Sequence, residues 1–329
     1  MKALICSQLA GPEALAVGDV SLPEPGAGEI RLRVEAASVN FPDVLMVQGL
    51  YQFKPPLPFV PGCEAAGVVD AVGAEVTRCK VGDRVACVTQ YGAFAEYMIA
   101  PPSSTIVDMP AAMSFIDGAA FGMAYGTSYH ALVQRAGLRA GETVLVLGAA
   151  GGVGLAAVQI AKALGATVIA AASSAEKLDL ARANGADATI NYATEDLKQA
   201  VKAITGGRGA DVVYDPVGGK LAEPAMRSIA WDGRYLVVGF ASGTIPSLPI
   251  NLALIKNASI VGVFWGGWAN REPAINQRNF AELMPWYADR RIRPIIDRIF
   301  SLEDAPAAIR CVMDGRAKGK IVIQVRNTA

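Results

Sequence analysis

The sequence predicts an α/β fold in which a doubly wound parallel sheet of six strands follows a smaller, mostly β region. From Thr143 to Phe264, strand-like and helical stretches alternate. Strands that are separated by helices must run parallel, with right-handed crossovers. Before about Met113 the chain shows short alternating runs punctuated by Gly and Pro, which is typical of a small antiparallel barrel. A chain of 329 residues is long enough for two such domains.

The first region contains a series of short strands. The N-terminal run MKALICSQLAG has one lysine and a very short apolar stretch, so we expect a first strand rather than a signal peptide. Alternating or apolar runs predict further strands at Glu29–Val39, Gly67–Val72, Asp83–Thr89 and Phe94–Ile99. Gly and Pro clusters separate them, and Ser114–Gly137 then becomes helical.

The second region alternates strictly between predicted strands and predicted helices. The predicted strands are Thr143–Leu147, Thr167–Ala171, Ala188–Ile190, Asp211–Tyr214, Tyr235–Gly239 and Ser259–Phe264, with helices such as Ala175–Asn184 and Glu195–Ile204 between them. Six strands complete a doubly wound, Rossmann-type sheet. In the remaining tail we expect helices at Asn276–Asp289 and Ala305–Met313 and a strand at Gly319–Val325, which return to the first domain.

A glycine-rich turn is the strongest functional signal. Strand Thr143–Leu147 leads into Gly148–Gly154 and then into an almost wholly apolar helix, Leu155–Leu164. The pattern is Ala149-x-Gly151-x-x-Gly154, which departs from the usual first glycine of a dinucleotide fingerprint. The turn places Gly151, Gly152 and Val153 where a helix N-terminus meets a pyrophosphate. The alternative is a tight turn with a purely structural role.

Composition excludes several classes of protein. Lys plus Arg and Asp plus Glu both number 30, so the net charge is zero and nothing favours nucleic acid or an anionic membrane. We find no apolar run as long as a membrane span. The five cysteines are scattered and odd in number, which favours reduced thiols and a cytoplasmic location.

Several stretches carry a family resemblance. They are Val39–Asp43, Gly49–Tyr51, Pro58–Glu64, Ala65–Gly67, Tyr125–Ala131, Gly148–Gly154 and Ile190–Tyr192. In these the chain resembles the zinc-independent quinone oxidoreductases, the zeta-crystallin-like branch of the medium-chain dehydrogenase/reductase superfamily. The resemblance implies a GroES-like catalytic domain from residues 1–122 and 267–329, a Rossmann dinucleotide-binding domain at 123–266, and a cofactor in the cleft.

The residues at the family's metal positions predict no zinc. Zinc alcohol dehydrogenases of the superfamily carry a metal-binding Cys near Asn40 and Gly-His-Glu where this chain has Gly62-Cys63-Glu64. The lobe of four closely spaced cysteines that holds their structural zinc is also missing. We expect His130, the single histidine, to be packed rather than a ligand, and Cys63 to be a small buried residue, with a reactive thiol as the alternative.

The end of the second strand of the sheet predicts the cofactor. An NAD-type unit places an acid there for the ribose 2′-hydroxyl, but this strand ends in alanines and serines. Ser173, Lys177 and Tyr192, which follows the neighbouring third strand, can converge on one spot and suit a 2′-phosphate, so we expect NADPH. Alternatively, Ser173-x-x-Glu176 is a capping box and Lys177 a solvated helix residue.

The resemblance also implies roles for other residues. Asn40, Tyr51 and Thr127 would lie near the nicotinamide; a turn residue, a packing residue and a helix hydroxyl are their alternatives. Lys318 or Lys320 would reach the pyrophosphate unless it is a surface charge. The aromatic residues Phe240, Phe264 and Trp265 follow the fifth and sixth strands at the ligand-binding carboxyl edge, but equally suit the core.

Together these features predict an NADPH-dependent, zinc-independent oxidoreductase that transfers hydride from the nicotinamide to quinones or other electron-poor conjugated carbonyls. Such acceptors are already electrophilic and need mainly positioning. One alternative is a 2-enoyl-thioester (enoyl-CoA) reductase, which needs a basic entrance for a CoA phosphate. Arg290-Arg291-x-Arg293 is the only candidate for it, and a solvated helix end is the other interpretation of that segment. Another is an NADPH-binding structural or RNA-interacting protein. The apolar outermost strand Ser259–Trp265 also predicts a homodimer.

Overall fold

The computed structural model describes residues 1–326. Its strands are β1 (Lys2–Cys6), β2 (Leu15–Asp19), β3 (Ile30–Val39), β4 (Glu64–Val72), β5 (Arg84–Val88), β6 (Tyr97–Ala100), β7 (Thr105–Asp108), β8 (Thr143–Leu147), β9 (Thr167–Ala172), β10 (Ala188–Asn191), β11 (Ala210–Asp215), β12 (Ile229–Val237), β13 (Ser259–Gly262), β14 (Ile296–Ser301) and β15 (Lys320–Gln324). Its α-helices are α1 (Phe41–Val47), α2 (Phe115–Ala119), α3 (Gly122–Tyr129), α4 (Gly152–Ala163), α5 (Ala175–Ala183), α6 (Leu197–Ile204), α7 (Ala222–Arg227), α8 (Asn251–Lys256), α9 (Trp265–Arg271), α10 (Pro273–Ala288) and α11 (Ala305–Met313). Short 3₁₀-helices occupy Pro12–Ala14 and Gly219–Leu221, and α3 continues as a π-helix over His130–Arg135.

The chain forms two compact units. The first contains Met1–Met123, Ala269–Phe280 and the described residues from Ile296 onward; the second contains Ala124–Trp268 and Ala281–Ile295. Residues 281–295 join the second unit through the Tyr129–Glu282 hydrogen bond and through Arg293, whose N–H donates to the Gln159 side chain. The domain limits expected from the sequence, 1–122 with 267–329 and 123–266, stay a prediction.

The second unit contains the six-stranded parallel sheet, and this fold class was predicted correctly. The strand order is β10-β9-β8-β11-β12-β13. Every residue of the central strand β8 is buried, which explains its unbroken run of apolar and β-branched residues. From β8, the chain adds β9 and β10 on one side of the sheet and then β11, β12 and β13 on the other, so the direction of strand addition reverses at β8. That point is where ligands bind in doubly wound sheets.

The predicted edge strand Ser259–Trp265 is too long and needs correction. Strand β13 ends at Gly262, and Trp265 begins helix α9. Pairing explains the difference: the neighbouring strand β12 offers partners only from Arg234 to Val237, so the apolar run beyond Gly262 has no strand beside it.

The first unit contains the β-rich domain that the sequence predicts. A seven-stranded sheet has the order β14-β15-β3-β4-β5-β7, with β6 paired to β3, and β1 pairs with β2 in a separate ribbon. All these pairs are antiparallel except β14 with β15. A buried apolar cluster, with members such as Leu32, Val69 and Phe94, fills the unit. Strand β15 lies beside β3, so the end of the described tail returns to the first domain as expected, whereas residues 281–295, which include most of the predicted helix Asn276–Asp289, belong to the second unit.

Candidate active site

The glycine-rich turn after β8 brings backbone very close to backbone. An added Cβ at Gly154 would stand 2.3 Å from the Gly148 carbonyl oxygen, so only glycine fits there. At Gly151, which caps the N-terminus of α4, the nearest atom to an added Cβ is 3.4 Å away. The half-buried backbone of Gly152 and Val153 in the first turn therefore offers N–H groups and the positive end of the helix dipole to an anion.

The end of β9 brings two of the predicted cofactor residues together. The Tyr192 hydroxyl lies near the side chain of Ser173, and burial raises the pKa of this phenol. The alternative interpretation, a capping box on Ser173, is wrong by one residue, because Ser174 caps α5 and its hydroxyl accepts from the Lys177 N–H at 3.4 Å. Ser173 is thus exposed at the strand tip, and Lys177 is half-buried one helical turn away.

Helix α3 carries Thr127, and its neighbour Ser128 ties the helix to the glycine turn. The Ser128 hydroxyl, fully buried, donates to the Val153 carbonyl oxygen at 3.0 Å and lies 2.9 Å from the Tyr214 hydroxyl. Tyr125 adds a second tie through a 2.6 Å hydrogen bond to Gln159 on α4. Thr127 itself is half-buried. Ser128 and Tyr214 were missed in the sequence, since a small hydroxyl inside an apolar helix gives no pattern.

The carboxyl edge of β11 to β13 separates the predicted aromatic residues. Phe240 is half-buried and borders Gly218, where an added Cβ would stand 2.9 Å from the Phe240 ring. Asp215 fixes that loop by accepting from the Val217 and Gly218 N–H groups, both at 2.8 Å. Phe264 is 60% exposed, whereas Trp265 is 3% exposed and lies in the core. The two neighbours that the sequence treats alike therefore have different surroundings.

In the first unit, strand register places four polar side chains together. Strand β15 pairs Ile321 with Val39 of β3, so Lys320 comes opposite Asn40. On the other side β4 pairs Ala65 with Ala37, so Glu64 comes opposite Ser38. Because both pairings are antiparallel, the side chains of three adjacent strands meet at one end of the sheet.

These residues form a buried polar cluster, which we define as Ser38, Asn40, Glu64 and Lys320. The Lys320 ammonium donates to Asn40 Oδ1 at 2.6 Å and to Glu64 Oε2 at 3.0 Å. Ser38 Oγ and Asn40 Nδ2 also donate to Glu64 Oε2, at 2.6 and 3.0 Å. All four residues are at least 92% buried. The hydrogen bonds from Lys320 to Asn40 and Glu64 leave neither charge of this buried ion pair without a partner.

Asp43, Cys63 and Tyr51 lie beside this cluster. Asp43 Oδ2 accepts from the Asn40 N–H at 2.8 Å and from the Cys63 thiol at 3.6 Å, while its buried Oδ1 lacks a partner among the described residues. Burial raises the pKa of Asp43 to about 7 despite the Asn40 hydrogen bond. Burial, with the nearby Cys63 and Asp43, raises the pKa of Tyr51, so its hydroxyl stays protonated at neutral pH.

The two candidate lysines differ in the structure. Lys320 belongs to the buried cluster, whereas Lys318 is half-buried and its N–H donates to Asp297 at 3.2 Å. His130 stacks on Trp268 with ring centroids 4.1 Å apart, and burial lowers its pKa to about 4. Within residues 1–326, no group of three or more His, Cys, Asp or Glu side chains is arranged to hold a metal. Nor does any helix in that part of the chain have the length and apolarity to cross a membrane.

Comparison with known proteins identifies the family. Residues 26–111 match the family described as alcohol dehydrogenase GroES-like domain, and residues 152–288 match the family described as zinc-binding dehydrogenase. The quinone oxidoreductase-like protein 2 of Rattus norvegicus is 39% identical over 99% of this chain and 92% of its own length.

Solved structures agree with this assignment. The quinone oxidoreductase of Pseudomonas syringae pv. Tomato DC3000 superposes with a TM-score of 0.90 at 35% identity, over 98% of this chain and 99% of that one. The Escherichia coli quinone oxidoreductase, crystallised with NADPH, gives 0.90 at 30% identity over 99% and 100%. The chain therefore belongs to the zinc-independent quinone oxidoreductase branch of the medium-chain dehydrogenase/reductase superfamily, and it is an oxidoreductase.

Proposed function

We propose that the chain is an NADPH-dependent reductase that transfers hydride to quinones or other electron-poor conjugated carbonyls. The observation that carries the cofactor choice is that Tyr192 lies near Ser173 at the end of β9, with Lys177 one helical turn away. A strand that ended in a carboxylate would repel a 2′-phosphate, and this one ends in alanine. The relative from Escherichia coli crystallised with NADPH supports the same choice.

The glycine turn fits the rest of the dinucleotide. Gly154 packs against Gly148 so tightly that the first turn of α4 is brought against the end of β8. The N–H groups of Gly152 and Val153 then hold the pyrophosphate, and Ser128 holds Val153 in place through its carbonyl. Thr127, Phe240, Phe264 and Trp265 remain proposed contacts, as does Lys318.

When bound, NADPH supplies the hydride, and the chain's own residues orient the acceptor. Tyr51 presents a protonated phenol, because burial raises its pKa, so it can stack on a flat acceptor and donate to its carbonyl oxygen. The positive charge nearest to Asn40 is Lys320, and it is shared with Glu64. Positioning thus has the main role here, which favours an acceptor that is electrophilic by conjugation.

The contacts of the basic segment weigh against an enoyl-CoA reductase. Arg291 donates to the Ala163 carbonyl oxygen at 2.7 Å and lies over the Trp286 ring at 5.0 Å. A side chain engaged in this way is poorly placed to receive a CoA phosphate. Zero net charge gives no support to an RNA-binding role.

We also propose a cytoplasmic homodimer. Strand β13 is an edge of the six-stranded sheet, and exposed apolar side chains occur on it and on the chain just before and after it, namely Ile250, Leu254, Ile255, Ile260 and Phe264. A patch of this kind on an unpaired sheet edge is suited to a second copy about a two-fold axis. The five cysteines are all free and buried, as suits a reducing compartment.

Steady-state NADPH oxidation against a panel of quinones, enones and enoyl-CoAs tests the proposal. We expect turnover with quinones or enones, a preference for NADPH over NADH, and little turnover with enoyl-CoAs. Turnover confined to enoyl-CoAs would favour the thioester reductase. NADPH binding without turnover of any acceptor would favour a structural role.

A further inference from the structure

Asp215, the last residue of β11, has a buried carboxylate that three donors hold in place. The residue is 3% exposed. Its Oδ1 accepts from the N–H groups of Val217 and Gly218, both at 2.8 Å, and its Oδ2 accepts from the Tyr235 hydroxyl. Burial and the nearby Asp215 charge raise the pKa of Tyr235, so this phenol remains a donor. A buried carboxylate is tolerated where donors surround it, and here they come from β12 and from the turn that follows β11.

That turn, Pro216–Gly218, is held through two sets of groups. The carbonyl oxygens of Pro216 and Val217 accept from N–H groups of the loop after β12, each at 3.0 Å. The N–H groups of Val217 and Gly218 are held by Asp215 instead. The carboxylate therefore binds the donors of the turn, while the neighbouring loop binds its acceptors, and together they fix its conformation.

The fixed turn places the Val217 side chain against the glycine turn after β8. Gly148 has a φ of +58°, and an added Cβ there would stand 2.8 Å from Val217 Cγ2. The Gly148 carbonyl oxygen accepts from the Gly151 N–H at 3.0 Å and is also the atom against which Gly154 packs. Because Gly151 and Gly154 both contact Gly148, the position of Gly148 determines where the N-terminus of α4 lies. Close packing at Val217 therefore couples the two turns.

We propose that Asp215 is a positioning residue for the pyrophosphate of NADPH. It holds the turn that presses Val217 on Gly148, and Gly148 keeps the first turn of α4 in the conformation that presents its N–H groups to an anion. The buried carboxylate acts through the turn rather than on the ligand. The inference rests on the proposed NADPH-dependent function.

Direct NADPH binding, followed by the change in nucleotide fluorescence, tests each step of this coupling. We expect Asp215→Ala to raise the NADPH Kd about tenfold, the effect of one net hydrogen bond. Asp215→Asn should bind within about threefold of wild type, because the amide oxygen still accepts from both N–H groups of the turn. Val217→Ala keeps the carboxylate but opens space beside Gly148, and we expect it to raise the Kd by at least about threefold.

Adenosine 2′-phosphate distinguishes positioning from a general loss of structure. This fragment lacks the pyrophosphate, and the proposed site of its phosphate is Ser173, Lys177 and Tyr192. We expect its Kd to change less than about twofold in all three variants. Asp211→Ala is the matched control, because Asp211 lies near the other end of β11 and its carboxylate accepts from the Thr143 N–H at 2.7 Å. That variant removes a comparable hydrogen bond and should leave the NADPH Kd unchanged.

Three results would overturn the inference: an unchanged NADPH Kd in folded Asp215→Ala or Val217→Ala, equal losses of affinity for NADPH and the fragment, or as large a loss in Asp211→Ala. If Asp215→Ala fails to fold, as judged by circular dichroism, Val217→Ala decides alone, because it retains the carboxylate and its three donors. A wild-type chain that binds neither NADPH nor the fragment would contradict the proposed function itself, and the inference would fail with it.

Discussion

Asp43 makes a testable contribution to stability. Its carboxyl is fully buried, and its Oδ1 has no partner among the described residues, so ionisation in the folded state is costly. Burial raises its pKa from 3.8 to about 7, although the Asn40 N–H and the Cys63 thiol act in the opposite direction. We expect Asp43→Asn, which is uncharged at every pH and nearly isosteric, to be more stable than wild type in alkali.

The sign and size follow from proton linkage. Between pH 3.8 and 7 the folded state holds a proton that the unfolded state has lost, so stability falls as pH rises through this window. A pKa displaced from 3.8 to about 7 corresponds to about 4 kcal/mol in total. About 1.5 kcal/mol of this is already lost at pH 5, which leaves about 3 kcal/mol to be lost between pH 5 and pH 9.

The assay is urea unfolding of wild type and Asp43→Asn at pH 5 and pH 9. His130, whose pKa burial lowers to about 4, titrates in the opposite sense, but it is present in both proteins and cancels in the difference. The control is Asp187→Asn: burial opposes ionisation there, but hydrogen bonds from Lys162 and the Val168 N–H lower the pKa of Asp187 overall. Because that pKa lies below 3.8, Asp187 is ionised in both the folded and the unfolded state from pH 5 to pH 9, so Asp187→Asn should be destabilised by the same amount at both pH values. A stability difference between wild type and Asp43→Asn that does not change with pH would refute the reasoning.

Three other predictions concern the cofactor, the substrate and the assembly. Lys177→Ala should weaken NADPH binding ten- to hundredfold, since a charge-assisted contact is worth about 1.5–3 kcal/mol, and should leave the affinity for NADH little changed. Equal losses of affinity in titrations with both cofactors would show that Lys177 does not bind the 2′-phosphate. If Tyr51 acts by stacking, Tyr51→Phe should be nearly silent and Tyr51→Ala should raise KM for the acceptor, whereas wild-type kinetics in Tyr51→Ala on every acceptor would remove Tyr51 from the site. Leu254→Glu, at a side chain that is 79% exposed, should convert the dimer to monomers in sedimentation at micromolar concentration, and a wild-type monomer would contradict the dimer itself.

The sequence predicted the second unit well because local and global signals agree there. Strand β8, the glycine turn and helix α4 are consecutive in the chain, and each has the composition that its environment requires. Strand β14 was missed because its own sequence carries no clear strand pattern. It reads IDRIFS, is half-exposed at a sheet edge, and is stabilised by pairing with β15 rather than by its own pattern.

Two site residues could not be chosen from sequence alone. Lys318 and Lys320 stand two positions apart before the same apolar run, and only the pairing of Ile321 with Val39 selects the second as the neighbour of Asn40. Likewise, the sequence alone does not distinguish Ser173 from Ser174 as the N-cap of α5. In the structure Ser174 is the N-cap of α5, whereas Ser173 lies near Tyr192. A sequence signal did exist for Lys320, since a lysine in phase with a buried strand needs a partner.

The pairing of β3 with β15 also has a consequence for folding during translation. Lys320 is made 256 residues after Glu64, yet the two are paired in the same buried cluster. While the chain emerges from a ribosome, both segments of the second unit are translated before β15, but at that stage β3 has an unpaired edge and Glu64 lacks its cation. The first unit is thus closed only after β15 has been translated, so ribosome-bound chains that stop before Lys320 should be the ones that chaperones hold and proteases cut.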